Sequence, residues 1–197
     1  MQLGPRFESA FSYASIVHAG QTRKGSSIPT LAHLLMVAAI VLEHGGDEDE
    51  AVAALLHDSV EDGGGRERLA DVKARFGERV ARMVEGCTDS FETPKAEWRP
   101  RKERYLDHLA SADAGTLLVS AADKLHNANS LLAEQRRLGG ARWDRFRGGE
   151  DGSLWYYRAC TEAFREAPLG DERLEPLVEE LHRVVLELEA LTARART

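Results

Sequence analysis

Apolar positions along this chain recur mainly at helical spacing. In residues 6–18 and 31–44, apolar side chains return every three or four positions, which is typical of amphipathic helices. A longer, mostly apolar stretch over 115–135 predicts a central helix. No segment shows the sustained alternation of apolar and polar residues that indicates a β-strand. The pattern therefore predicts an all-α fold.

Turn-forming residues separate the predicted helices. The polar stretch 20–29, bracketed by glycine and proline, indicates a loop between the first two helices. Asp47, with Glu50 three positions later, predicts a capping pair that begins a helix ending near Asp58. We expect a bundle of roughly eight to ten helices. Its other predicted parts are helices near 67–75 and 77–86, a loop with Pro94 and Pro100, an amphipathic segment at 101–112, a loop at 139–152, and helices near 153–166 and from Pro176.

Length and charge limit the classes of protein to consider. A chain of 197 residues suits one domain, so we expect residues 1–197 to form a single unit. The content of 43% hydrophobic and 30% charged residues is typical of a globular protein. A net charge of -7 without a block of lysine and arginine disfavours nucleic acid as a partner. A small phosphorylated ligand is compatible with this net charge if a metal and local cations offset the negative charge of the ligand.

Cysteine content and apolar runs bear on the location of the protein. Only Cys87 and Cys160 occur, without a CxxC pattern, so neither a disulfide framework nor a zinc finger is expected. The N-terminus shows no apolar signal segment, and the longest apolar run, Leu34 to Leu42, is too short to cross a bilayer. We therefore expect a soluble cytoplasmic protein with no membrane partner. Whether it forms a homo-oligomer is open.

The adjacent pair His57-Asp58 is the first candidate for chemistry. It stands at a predicted helix end and offers an imidazole nitrogen beside a carboxylate, a combination that suits divalent cations. Alone, such a pair is as compatible with a helix cap and a surface charge. His33, in an apolar helix, is similarly either a hydrogen-bonded core residue or a ligand.

Asp123 places a carboxylate in the predicted central helix, where an unpaired buried charge would be costly. The neighbouring Lys124 points about 100° away around the helix and is not expected to be its partner. A metal ion is the better partner. Asn127 and Ser130 follow at i+4 and i+7, so three polar groups line one side of this helix.

The order His33, His57-Asp58, Asp123 is the pattern H...HD...D. It resembles the HD superfamily of metal-dependent phosphohydrolases, in which these positions hold a divalent metal within a helical domain. The resemblance therefore implies an HD-domain helical bundle with one metal ion bound by these four side chains.

Longer motifs narrow the resemblance. Residues 14–25, the stretch 53–62 with its HDxxED pattern, and Ala122-Asp123-Lys124-Leu125-His126-Asn127 are similar to hydrolase domains of the Rel/SpoT kind. The similarity covers about 6–135, and helices at about 153–195 would complete the chain. Its length is similar to that of the small alarmone hydrolases, which remove the 3′-pyrophosphate from ppGpp and pppGpp with manganese. We expect a hydrolase without a synthetase domain.

The resemblance also implies roles for individual side chains. Glu61 and Asp62, one helical turn beyond the metal pair, match an acidic pair needed for hydrolysis and could orient or deprotonate water. Arg23 and Lys24 could offset the charge of the ligand if their loop folds over the site, and arginine can stack on a purine. The alternative for these two cations is a solvent-exposed basic loop.

Further positions are assigned on the same grounds. Asn127 and Ser130 are candidate substrate contacts, whereas His18 and His126 are expected to pack or to orient a ligand. Asp89 stands where relatives frequently have lysine. Two alternatives remain open: a phosphohydrolase for another nucleotide such as ppApp or NADPH, and a non-catalytic nucleotide-binding sensor.

Overall fold

The fold is a bundle of α-helices. The computed structural model describes residues 2–61, 64–92, 94–139, 143–167 and 171–195, and within these it contains nine α-helices, a short 3₁₀ turn and no β-strand. The predicted all-α class is therefore confirmed. The helices are α1 Pro5–Val17, α2 Thr30–Glu43, α3 Glu48–Leu56, α4 Gly65–Phe76, α5 Glu78–Cys87, α6 Trp98–Leu109, α7 Ala114–Leu138, α8 Gly149–Glu166 and α9 Leu174–Ala195, with the 3₁₀ turn at Trp143–Arg145.

Helix α7 is the centre of the packing. It lies against α2, α3 and α5 and also against α8 and α9. Its buried residues extend from Gly115 to Gln135, which agrees with the central position predicted for it. Burial on several sides explains why an apolar sequence runs through most of this helix.

A smaller apolar cluster joins the C-terminal end of α7 to later parts of the chain. Leu131 and Leu132 of α7 pack with Trp143 of the 3₁₀ turn and Leu188 of α9. Trp143 is only 8% exposed, so the turn is fixed to the bundle by burial of a large ring.

Two helix starts differ from the sequence-based expectation. Helix α6 begins at Trp98 and includes Pro100, which is tolerated because the first turn of a helix leaves its N–H groups unpaired. Helix α8 begins at Gly149, inside the predicted loop 139–152. The glycines there serve packing, since a Cβ on Gly148 would lie 2.7 Å from the ring of Trp98.

Glu50 connects the start of α3 to the start of α9. Its side chain is buried and completes the predicted capping box with Asp47, whose N–H donates to Glu50 Oε2 at 2.8 Å. Arg173 donates to both Glu50 oxygens, at 2.7 Å and 3.1 Å. The helix that ends at the candidate metal residues is therefore anchored at its other end by an ion pair whose carboxylate is buried.

None of the helices in the described ranges combines the length and the apolar character needed to cross a lipid bilayer.

We expect Glu50→Ala to lower the free energy of unfolding by about 3 kcal/mol, because it removes a helix cap and leaves Arg173 without its buried partner. Urea denaturation followed by circular dichroism measures this change. As a control, Glu187→Ala removes a half-exposed ion pair with Arg136 and should cost less than about 1 kcal/mol. Equal costs for both variants would contradict an anchoring role of Glu50.

Candidate metal centre

Four side chains predicted from sequence converge on one point. His33 Nε2, from α2, lies 3.1 Å from Asp123 Oδ1 and 3.5 Å from Asp58 Oδ2. His57 Nε2, just after α3, lies 3.3 Å from Asp58 Oδ1 and 3.6 Å from Asp123 Oδ1. The two Nε2 atoms are 3.2 Å apart. Two imidazoles and two carboxylates from three helical segments thus share one small space, although they are far apart in sequence.

Each histidine has its second ring nitrogen engaged elsewhere. His57 Nδ1 donates to the carbonyl of Ala54 at 2.7 Å, which leaves the Nε2 lone pair directed at the carboxylates. His33 Nδ1 lies 2.7 Å from Nδ1 of His126. Burial, followed by the effect of His33, lowers the pKa of His126 to about 4, so His126 is neutral and can accept this hydrogen bond. Partners of this kind orient metal-binding imidazoles.

The electrostatics of the four groups call for a cation between them. A neutral His57 presents a lone pair to two carboxylates, which is repulsive without an intervening positive charge. Burial alone would lower the pKa of His57, but Asp58 and Asp123 outweigh it and raise this pKa to about 9. For His33, burial dominates and its pKa is lowered. A proton on His57 meets the need for positive charge, and a divalent ion with nitrogen and oxygen ligands fits the same donors.

Lys124 corrects one expectation. Its Nζ donates to Asp123 Oδ2 at 2.5 Å, although the two residues are adjacent in the helix and were not expected to pair. The long side chain of Lys124 bends back because it is buried, and its Nζ faces the rings of Tyr105 at 5.0 Å and Tyr156 at 5.9 Å. Oδ2 of Asp123 is thereby engaged, while Oδ1 faces the two histidines.

The loop before α2 reaches the centre through Asn127. Asn127 Nδ2 donates to Asp123 Oδ1, and Arg23 Nη2 donates to Asn127 Oδ1. Arg23 is therefore one side chain away from the centre, in agreement with a loop that folds over the site. Lys24 is exposed beside it, and Ser130 is exposed with its hydroxyl donating to the carbonyl of His126 at 2.9 Å.

Glu61 lies in the turn that follows Asp58. Lys95 Nζ donates to Glu61 Oε1 at 2.6 Å. Burial, and then the nearby carboxylate of Asp89, raise the pKa of Glu61, although Lys102 and Lys95 act in the opposite direction. Asp62, the other member of the predicted acidic pair, lies outside the described residues.

Cations around Glu61 were not predicted from sequence. Asp89 forms ion pairs with Arg101 and with Lys102, whose Nζ is 2.6 Å from Asp89 Oδ2. Lysine and arginine are dense between Lys95 and Lys102, and this clustering is the one sequence signal that could have indicated them. The region therefore contains positive charge supplied from α6 and the loop before it.

Comparison with known protein families gives a match over most of the chain. The family model described as HD domain matches residues 10–142, which include all four converging side chains.

Individual relatives carry consistent names. The guanosine-3′,5′-bis(diphosphate) 3′-pyrophosphohydrolase MESH1 of Mus musculus is 38% identical over 125 residues, covering 62% of this chain and 67% of the mouse protein. The enzyme of that activity from Aquifex aeolicus is 33% identical over 138 residues, covering 69% of this chain and 19% of the relative. The match thus spans only about a fifth of the longer bacterial relative.

Solved structures give the same architecture. A metazoan ortholog of SpoT that hydrolyses ppGpp superposes with a TM-score of 0.72 at 26% identity, covering 93% of this chain and 97% of the other. The protein lmo0812 from Listeria monocytogenes superposes with a TM-score of 0.67 at 31% identity, covering 78% and 96%.

We expect Lys124→Met to lower the free energy of unfolding of the metal-free protein by about 3 kcal/mol, because Asp123 then stays buried without its lysine. Urea denaturation in the presence of a chelator measures it. Lys73→Met is the matched control: its ion pair with Glu78 is 59% exposed on both sides and should contribute less than about 1 kcal/mol. If both lysine variants unfold alike, Lys124 does not compensate Asp123.

Proposed function

This chain belongs to the HD-domain family, and we propose that it is a manganese-dependent hydrolase that removes the 3′-pyrophosphate of ppGpp and pppGpp. The observation that carries this proposal is the convergence of His33, His57, Asp58 and Asp123, in which each imidazole Nε2 lies 3.1 to 3.6 Å from an oxygen of each carboxylate. The relatives named for this activity, one of which is matched over 67% of its length, support the choice of substrate.

We assign the metal to these four side chains. The ligand atoms of His33, His57 and Asp58 all lie within 4.8 Å of one another, and Asp123 Oδ1 faces both imidazoles. When bound, a divalent cation acidifies water and polarises a phosphoryl oxygen. The residues beyond the ligands hold this arrangement: Ala54 and His126 set the ring orientations. The two carboxylates are donors that suit manganese.

Glu61 and Asp62 are proposed to handle the proton of the attacking water. The new bond joins the water oxygen to the phosphorus attached to O3′ of the ribose, and the bond between this phosphorus and O3′ breaks. The departing ribose oxygen takes up a proton, and the products are pyrophosphate and GDP or GTP. Burial and the carboxylate of Asp89 raise the pKa of Glu61, which favours its acting as a proton acceptor. Its contact with Lys95 fixes the carboxylate beside the turn.

Substrate binding is proposed for Arg23, Lys24, Asn127 and Ser130. The substrate carries several negative charges, and Arg23 and Lys24 offer cations on the loop next to the centre. Asn127 links the loop to Asp123, so a phosphate or ribose oxygen that reaches this amide also lies close to Arg23. Ser130 lies one turn farther along α7 at the surface.

A substrate panel tests the proposal. Purified protein with Mn²⁺ should release pyrophosphate from ppGpp and pppGpp faster than it acts on ppApp or NADPH, and it should lose activity with a chelator. We expect Asp58→Ala to abolish metal binding, and Glu61→Gln to keep the metal while turnover falls by about 10²- to 10⁴-fold, the usual contribution of a general base.

Glu85→Gln, which changes an exposed carboxylate on α5, is the control and should retain turnover. Preferred turnover of another nucleotide would replace the substrate assignment. Tight binding of ppGpp without any cleavage in fresh Mn²⁺ would identify a sensor instead of an enzyme.

We expect the apparent affinity for Mn²⁺ to rise with pH. In the metal-free protein the pKa of His57 is raised to about 9, so at neutral pH its proton must leave before the metal can bind. Affinity should therefore increase by roughly tenfold per pH unit between pH 7 and 8, and level off above the pKa. Calorimetry in buffers of different ionisation enthalpy measures the proton released. A pH-independent affinity would show that His57 binds no proton in this range.

A further inference from the structure

The loop that carries Arg23 and Lys24 is closed at its base. Thr22 and Pro29 form an isolated antiparallel bridge, and the N–H of Arg23 donates to the carbonyl of Ile28 at 2.8 Å. These contacts define the shape of a short hairpin. They do not determine where the hairpin lies relative to the metal centre, because both partners belong to the loop itself.

A contact from the C-terminal part of the chain touches the tip of this loop. Gly25 packs so closely against Arg145 that a Cβ on Gly25 would lie 2.9 Å from Arg145 Cδ and 3.4 Å from Nη1. Gly25 also has a φ of +71°, which disfavours other residues. The backbone of the loop therefore lies directly on the side chain of Arg145.

Arg145 is itself held firmly. Its Nη2 forms an ion pair with Glu134 of α7, its Nη1 lies 3.3 Å from the same carboxylate, and its guanidinium is 4.9 Å from the ring of Phe146. Both charged side chains are largely buried, at 16% and 11% exposure. Trp143, two residues earlier, anchors the 3₁₀ turn in the apolar cluster. The side chain of Arg145 is thus held in one position, and the loop packs against it.

Both supports of the loop stand on one helix. Asn127 accepts from Arg23, and Glu134, seven positions later on α7, holds Arg145. Residues seven apart lie on the same face of an α-helix. The loop therefore extends along the face of α7 that also carries Asp123, with one support at Arg23 itself and the other at Gly25, just after Lys24.

We propose that Arg145 is a positioning residue that seats the 20–29 loop so that Arg23 and Lys24 face the metal centre. The proposal rests on the function proposed above for these cations. It gives a role in substrate binding to a residue that does not itself contact the centre. If the loop is seated for only a tenth of the time, the apparent dissociation constant of the nucleotide rises about tenfold, since binding requires the seated state.

Limited trypsin digestion tests the seating without any substrate. Trypsin cleaves after Arg23 and Lys24, and in the metal-free protein Arg145→Met should accelerate cleavage at these two bonds by about tenfold, because cleavage follows the population of the unseated loop. Mass spectrometry of the N-terminal fragments gives the rate. Arg136→Met is the matched control: it removes an exposed ion pair between α7 and Glu187 and should leave these cleavage rates unchanged.

Steady-state kinetics with ppGpp and Mn²⁺ test the consequence. Arg145→Met should raise KM by about tenfold and change kcat by less than about twofold, because the groups that act on the reacting phosphate are untouched. Arg145→Lys keeps a cation for Glu134, so its KM should lie between the KM of the unaltered protein and that of Arg145→Met. A general loss of stability would instead lower kcat and kcat/KM by the same factor, in proportion to the folded fraction, and would leave KM unchanged.

The outcomes separate the two proposals. Unchanged trypsin cleavage in Arg145→Met overturns the seating role, and faster cleavage with an unchanged KM overturns its role in binding. If Arg145→Met does not fold, Glu134→Gln is used, since it removes the ion pair that holds Arg145 against Gly25, and the same two results decide. If the unaltered protein does not hydrolyse ppGpp, the proposed function fails while the digestion result still reports on the loop.

Discussion

A carboxylate buried in an apolar helix imposes the arrangement around it. Asp123 is 8% exposed, and removing such a group from water costs several kcal/mol unless positive charge and hydrogen bonds replace the lost hydration. Burial would raise the pKa of Asp123, but Lys124 and the imidazoles of His33 and His57 outweigh it and hold that pKa well below its usual range. The carboxylate is therefore ionised before a metal ion binds, and Oδ1 remains directed at the two imidazoles.

The same requirement makes a proton and a metal ion alternative occupants of the centre. Because Nδ1 of His57 donates to the carbonyl of Ala54, only Nε2 can bind a proton or a metal ion next to the carboxylates. Without a metal, Asp58 and Asp123 favour a proton there, which is why the pKa of His57 rises while that of the equally buried His33 falls. A divalent cation satisfies both carboxylates and both rings at once, which one proton on one ring does not.

Helical periodicity predicted the all-α fold, and the resemblance of the H...HD...D pattern to the HD superfamily predicted the four residues that converge. Two predictions were wrong at places where the packing around a residue matters more than its residue type. A glycine-rich tract was read as a loop, yet Gly148 belongs to the start of α8 and makes room for the ring of Trp98. Lys124 was excluded as a partner of Asp123 from the direction of its Cβ, but four methylene groups allow its Nζ to return to the neighbouring carboxylate when solvent is excluded. Rules based on helical spacing alone do not take the burial of Lys124 into account.

Contacts between distant segments were out of reach of the sequence for a different reason. No local pattern relates Gly25 to Arg145, and their meeting depends on how the 3₁₀ turn packs against α7. Helix α7 connects these contacts, because it carries the carboxylate of Asp123, the amide of Asn127 that contacts Arg23, and Glu134, the partner of Arg145. The loop that carries Arg23 thus lies against Arg145, a residue far along the chain. Residues beyond 140 therefore form part of the surroundings of the site, although they contain no recognisable catalytic motif.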